Sequence, residues 1–179
     1  MSKKKILLLS DDLRMSSGVA TMSAEIVRNT IHKYDWVQVA GAIDHPEKNK
    51  EIDLGDAVLK DWNLPIGEAG VKPYLKLYPT SGYGNQELIR NLVDRENPDA
   101  IMIYTDPRFW IWLFQMEHEL RVHLPILYYN IWDDLPYPMW NQPYYDSVDA
   151  LFNISKQTVN IVDNVRSSHE PWQVTYIPH

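Results

Sequence analysis

The sequence predicts an α/β protein, a three-layer sandwich built around a mainly parallel sheet of about seven strands. Three observations point there. The run Ile6-Leu7-Leu8-Leu9 is continuously apolar, as expected of a strand buried on both faces. Short β-rich runs alternate with helical segments of ten or more residues, the pattern of βαβ units. The residues closing those runs are polar, and in such sheets ligands collect outside the carboxyl ends of the strands.

Each element follows from local pattern. After the first strand, Val19, Met22, Ile26, Val27 and Ile31 fall at helical spacing, with Ser16 or Ser17 as N-cap. Residues 36–43 (WVQVAGAI) read as the second strand and 74–78 as the third. Residues 85–96 form a helix with Leu88, Ile89, Leu92 and Val93 on one face, closed by Asn97-Pro98. Residues 99–105 (DAIMIYT) are the fourth strand, 108–122 a strongly apolar helix, and 125–132 (PILYYNIW) the fifth strand. A Pro-rich loop runs to Tyr145. Residues 150–154 are the sixth strand, Ser155 caps a helix that turns Val159, Val162 and Val165 inward, and 174–177 are the seventh. The segment 44–73 receives no assignment.

A chain of 179 residues supports one domain that buries roughly 70% of its unfolded surface. Seventeen Lys and Arg against 24 Asp and Glu give a net charge of −7, which argues against a phosphate-neutralising nucleic-acid surface. Lys3, Lys4 and Lys5 precede too few apolar residues for a signal peptide, and no run approaches the roughly 20 apolar residues of a membrane span. The absence of cysteine excludes disulfide and thiolate chemistry. A cytoplasmic location is the expectation. Seven Trp and eleven Tyr, concentrated between Trp110 and Tyr145, are the compositional oddity.

The strand ends carry the candidate chemistry: Ser10, Asp11 and Asp12; Thr105, Asp106 and Arg108; Trp132, Asp133 and Asp134; and Ser155. The pair Asp11-Asp12 suggests a receiver-type phosphoacceptor pocket holding Mg²⁺, with Asp61-Trp62-Asn63-Leu64-Pro65 as the acceptor segment. Lys60 interrupts the strand that reading needs, Gly70 falls one place late, and no lysine follows a later strand. A dinucleotide site lacks its glycines, since Gly18 stands alone. A metal set drawn from Asp106, Asp133, Asp134 and His118 or His123 competes with a solvated helix face beside Glu117, Glu119 and Arg121. Ser17-Gly18 before a helix offers an anion its N–H groups, or only a tight turn. In the loop WDDLPYPMWNQPYY, packing and a carbohydrate platform both account for the aromatic residues, with Asp133, Asp134 and Asn141 as hydroxyl partners.

Four segments in order resemble the N-terminal Rossmann-like domain of GT-B glycosyltransferases of the family-4-like kind. Ser16-Ser17-Gly18-Val19-Ala20 is similar to that family's glycine loop, and Trp132-Asp133-Asp134-Leu135-Pro136 to its His-Asp-x-x-Pro segment. DALFNISKQT (149–158) is similar to its strand and S-x-x-T helix start, and VTYIPH (174–179) to its closing V-x-x-I-P-H-G. The resemblance implies the acceptor-side half of a retaining, metal-independent enzyme whose donor substrate is a nucleotide-sugar and whose acceptor is a small molecule or glycan. It implies that Ser16, Ser17 and Gly18 approach the donor phosphates. Asp11, Asp106, Arg108, Trp132, Asp133, Asp134, Tyr137 and Trp140 would line the sugar or acceptor cleft. Ser17 stands where many members have a second glycine, and Trp132 where they carry a histidine. Because His179 falls where the family's linker begins, the expectation is that the donor domain is absent and that this chain alone transfers no sugar. A non-catalytic binding or assembly module with the same fold is the alternative.

Overall fold

The computed structural model describes residues 2–61 and 73–178. It is an α/β fold with an eight-stranded, mostly parallel sheet flanked by helices, the Rossmann-like sandwich expected from the strand–helix alternation. The chain divides into two compact units, Met1–Asp99 and Ala100–His179.

In the first unit the strands lie in the order β3-β4-β2-β1. Strand β1 (Lys4–Asp11) runs parallel to β2 (Tyr34–Gly41) with Lys4 opposite Tyr34 and Asp11 opposite Gly41. Strand β4 (Leu75–Pro79) pairs parallel to β2, and the short β3 (Ile52–Asp53) pairs antiparallel to β4. Leu7, Leu8, Leu9, Val37, Val39, Leu75 and Leu77 are fully buried, the two-faced burial that the apolar runs require. Helix α1 (Gly18–Thr30) is capped by Ser17, whose backbone is extended and whose Oγ accepts from the Ala20 N–H at 3.0 Å. Helix α2 (Gly55–Asp61) and β3 fall in the stretch that the sequence left unassigned. Asp61 ends a helix rather than a strand, which removes the geometry a phosphoacceptor aspartate would need. Residues 62–70 of that reading lie outside the described residues. Helix α3 (Gln86–Glu96) begins at an Asn85 cap and stops at Asn97, whose φ of 46° is left-handed.

The second unit is wholly parallel, in the order β5-β6-β7-β8: Ala100–Tyr104, Ile126–Asn130, Ala150–Asn153 and Val174–Tyr176. The expected helix over 108–122 is broken. A 3-10 turn (Pro107–Trp110) leads into α4 (Ile111–Phe114) and α5 (Glu117–Arg121), with Trp110 and Met116 near φ −110°, ψ 14° at the breaks. Residues 109–114 are apolar all round and rich in aromatics of modest helix propensity, so no single stripe fixes a helical register. The Pro-rich loop contains a second 3-10 turn (Met139–Asn141) and α6 (Gln142–Asp146). Helix α7 (Lys156–Val165) is capped by Ser155 and buries Thr158, Ile161, Val162 and Val165; Val159 is only half-buried.

At the amino ends of the first unit's strands sits a buried carboxylate. Glu96, 4% exposed, accepts from the hydroxyls of Tyr74 (2.6 Å) and Tyr78 (2.5 Å) and from Lys5 Nζ (3.2 Å). Burial pushes its pKa up, but these hydrogen bonds and the Lys5 charge outweigh burial and hold it down at about 2. A depressed carboxyl pKa stabilises the fold fully above its unfolded value, near 4.5, and that stability is lost as pH falls towards 2. Glu96→Gln should therefore destabilise the protein at pH 7 by on the order of 3 kcal/mol. Urea midpoints measured from pH 7 to pH 2 should fall less steeply below pH 4.5 in the variant than in the parent. Parallel curves would show that Glu96 is not the source of the acid sensitivity.

Candidate functional site

The carboxyl ends of β1, β2 and β4 form a polar cluster in the first unit. It is organised by Gln38, a buried amide in the middle of an otherwise apolar strand. Its Nε2 donates to Ser10 Oγ and to the Asp11 carbonyl, both at 2.8 Å, and its Oε1 accepts from the Leu13 N–H at 3.2 Å. Ser23 of α1 donates to the same Ser10 hydroxyl at 3.0 Å. The β1–α1 loop is thus tied to the buried Gln38 side chain, and the end of β1 to Ser23 of α1.

Asp11 and Asp12 are both buried, yet each is matched. Asp11 accepts from Ser17 Oγ at 2.8 Å and from the Tyr83 hydroxyl at 2.9 Å. One carboxylate therefore orients the residue that caps α1. Asp12 is forked by Arg14, with Nε at 3.0 Å from Oδ1, Nη2 at 2.6 Å from Oδ2, and the Arg14 N–H at 2.9 Å. Burial raises the Asp12 pKa, but the Arg14 bonds and charge bring it below the usual carboxylate range. His45 Nε2 lies 2.9 Å from Arg14 Nη2 and 3.4 Å from Asp12 Oδ2, and Arg14 Nη1 reaches Glu47 at 3.1 Å.

Two glycines here behave oppositely. A Cβ on Gly41 would meet the Gly82 carbonyl oxygen at 2.7 Å and the Tyr83 ring at 3.0 Å, so the fold requires glycine there for the loop that delivers Tyr83 to Asp11. A Cβ on Gly18 would meet nothing within 4 Å among the described residues, and Gly18 has no positive φ. The fold does not need that glycine, although it occupies the first helical position of α1, beside the exposed Ser16.

The matching edge of the second unit gathers Asp106, Arg108, Trp132 and Trp140. Asp106 caps the 3-10 turn and is forked by Arg108, with Nε at 2.9 Å from Oδ1 and Nη2 at 2.5 Å from Oδ2. Burial pushes Asp106 up and Arg108 pulls it down, with a net lowering. The guanidinium lies 5.6 Å from the centre of the Trp132 ring, and Trp140 meets Trp132 edge-on at 6.4 Å. The chain matches no protein family and no curated protein. What the chain does must therefore be read from these residues.

Beneath this edge, Asn130 and Asn153 are fully buried, joined Nδ2 to Oδ1 at 3.2 Å, and Asn130 Oδ1 accepts the Trp132 N–H at 3.2 Å. Thr105 and Ala42, which directly follow β5 and β2, hold φ values of 118° and 83°. Such backbone costs about 1–3 kcal/mol per residue and persists where neighbours fix it. Here the Tyr128 hydroxyl donates to the Thr105 carbonyl at 2.9 Å, and the Ala42 N–H donates to Gly82 at 2.8 Å. Asp133, Asp134, Tyr137 and Trp140 are exposed along the loop after β6. Among the described residues no three His, Asp or Glu side chains stand together as a metal site, and no helix is long and apolar enough to cross a membrane. His118 is exposed on α5 beside Glu117.

The sequence reading singled out Asp11, Ser17, Gly18, Asp106 and Trp132 but passed over Arg14, Gln38, Tyr83, Asn130 and Asn153. Three of these had a legible signal, an amide inside or ending an apolar strand. Tyr83 had none, because the Gly41 contact that places it is tertiary. Ser17→Ala should remove the cap of α1 and lower stability by about 1 kcal/mol, while Gly18→Ala should be neutral or stabilising by up to about 1 kcal/mol. Urea unfolding of the two single variants checks this contrast. A marked loss in Gly18→Ala would mean that the glycine is structural.

Proposed function

We propose that this chain is the acceptor-side half of a glycosyltransferase that moves a sugar from a nucleotide-sugar to a hydroxyl acceptor with retention of configuration. The observation that carries the reading is Gly18. A glycine at the start of a helix costs stability relative to alanine, and nothing within the described fold requires it. Open space at its missing Cβ suits the close approach of a ligand to the backbone. The first N–H groups of a 13-residue helix favour a phosphate there by about 0.3–1 kcal/mol per charge at exposed sites. Asp12 does not oppose an anion as a bare charge, because Arg14 forks it.

In this reading Ser17 and Asp11 keep the start of α1 rigid, so the N–H groups need no reorganisation when charge builds on the leaving diphosphate. The glycosidic bond to that diphosphate breaks, the acceptor oxygen bonds to the same face of the sugar, and the acceptor's proton passes to the diphosphate oxygen that leaves. Trp132, Trp140 and Tyr137 offer flat apolar faces to a sugar ring, while Asp133, Asp134, Asp106 and Arg108 supply hydroxyl partners. The resemblance of SSGVA, WDDLP, DALFNISKQT and VTYIPH to the GT-B segments supports the same assignment.

The test is calorimetric titration of the protein with nucleoside diphosphates and nucleotide-sugars. Gly18→Val should leave the melting temperature close to that of the parent and weaken nucleotide-sugar binding at least tenfold. Full affinity in a stably folded Gly18→Val protein would refute the assignment of this loop. Binding of glycans with no nucleotide-sugar binding by the parent would favour the non-catalytic module.

A further inference from the structure

We infer that the outward face of α7, together with the loop before α6, is a binding surface for a neutral oligosaccharide, so that the acceptor is a glycan chain gripped beyond its reacting residue. This rests on the transferase reading for the word acceptor, while the surface itself stands on its own geometry. Gln157, Asn160 and Asn164 lie three and four residues apart on α7, which puts three amides on one helical face, and all three are exposed. The stripe spans about 10 Å along the helix axis at 1.5 Å per residue.

The amides are joined to the aromatic loop. Gln157 Nε2 donates to the Asp133 carbonyl, and Asn160 Nδ2 donates to the Tyr137 hydroxyl at 3.0 Å. Asn164 Nδ2 donates to the Asn160 carbonyl at 2.7 Å. Beside them Tyr137 is 40% exposed and Trp140 is 58% exposed, with Trp140 braced edge-on against Trp132.

This combination selects its ligand by chemistry. A primary amide both donates and accepts, as a sugar hydroxyl does, and exposed aromatic faces suit the apolar C–H faces of pyranose rings. The three amides carry no charge, so they offer no partner to a carboxylated or sulfated glycan, and the exposed Asp133 and Asp134 of the loop oppose one. Side chains already tied to one another lose less freedom when they bind.

A glycan array carrying defined neutral and anionic glycans of one to six residues, probed with the whole protein, tests the surface. Neutral glycans of two or more residues should bind, single sugars and anionic glycans should bind at least tenfold less, and Trp140→Ala and Asn160→Ala should each reduce the signal at least fivefold. Both positions are exposed, and circular dichroism melting confirms that the variants fold. Calorimetric nucleotide-sugar affinity should be unchanged in Asn160→Ala, which separates a failure of this surface from a failure at Gly18. Absence of glycan binding, a preference for anionic glycans, binding indifferent to both substitutions, or concentration-dependent self-association abolished by Trp140→Ala would each overturn the inference.

Discussion

A parallel strand buried on both faces can place a polar side chain only at its ends, and that constraint arranges everything else in this protein. Leu7, Leu8 and Leu9 leave β1 no position for a hydrogen-bonding group between Lys5 and Ser10. The amino ends of the first unit are consequently closed by a charge network centred on Glu96. In the second, Arg121 pairs with Asp149 at 3.0 Å, and Asp149 also receives the Ile126 N–H at 2.8 Å. These groups are fully matched and hold strands in register. The carboxyl ends receive more varied side chains and the positive-φ residues Ala42 and Thr105. One set of ends is therefore structural, and the other is where chemistry has room.

The exception proves informative. Gln38 sits inside β2 with no exposure to speak of, and an unmatched amide there would cost several kcal/mol. Its three bonds to Ser10, Asp11 and Leu13 turn that cost into positional control over the β1–α1 loop. Gly41 contributes from the other side by admitting the Gly82 carbonyl and the Tyr83 ring. A loop fixed by a buried amide and a close-packed glycine needs no strain of its own to present the start of α1.

Much of this was legible in the sequence, because strands buried on both faces and capped amphipathic helices write period and punctuation into the chain. The Ser17, Asn85 and Ser155 caps, the Asn97 stop and the alternation that specifies the fold all fall where local pattern puts them. The short antiparallel β3 and α2 were not legible. Two paired residues carry no periodicity, and their place depends on the Leu54 N–H reaching the Leu75 carbonyl. The 108–122 stretch misled because the uniform apolarity of 109–114 resembles a buried helix until packing breaks it. At the site, residue types and strand ends could be read, whereas the pairing of Asp11 with Tyr83 could not. It joins positions 72 apart in the sequence.

The acidic appearance of these strand ends also changes once partners are assigned. Asp12-Leu13-Arg14 follows β1 and Asp106-Pro107-Arg108 follows β5, and the two triplets form the same fork. In each, the arginine N–H and Nε meet Oδ1 while Nη2 meets Oδ2. The aspartate fixes the turn, and the arginine cancels its charge within two residues, so neither carboxylate repels an anion as a bare charge would. Formal charge at a strand end is thus a poor guide to the field a ligand meets there. In the first unit the fork leaves the N–H groups of α1 as the directional feature beside Gly18. In the second it leaves a guanidinium over Trp132 and, along the loop, aromatic faces and amides. An anion suits the first arrangement and a hydroxyl-rich, uncharged ligand the second.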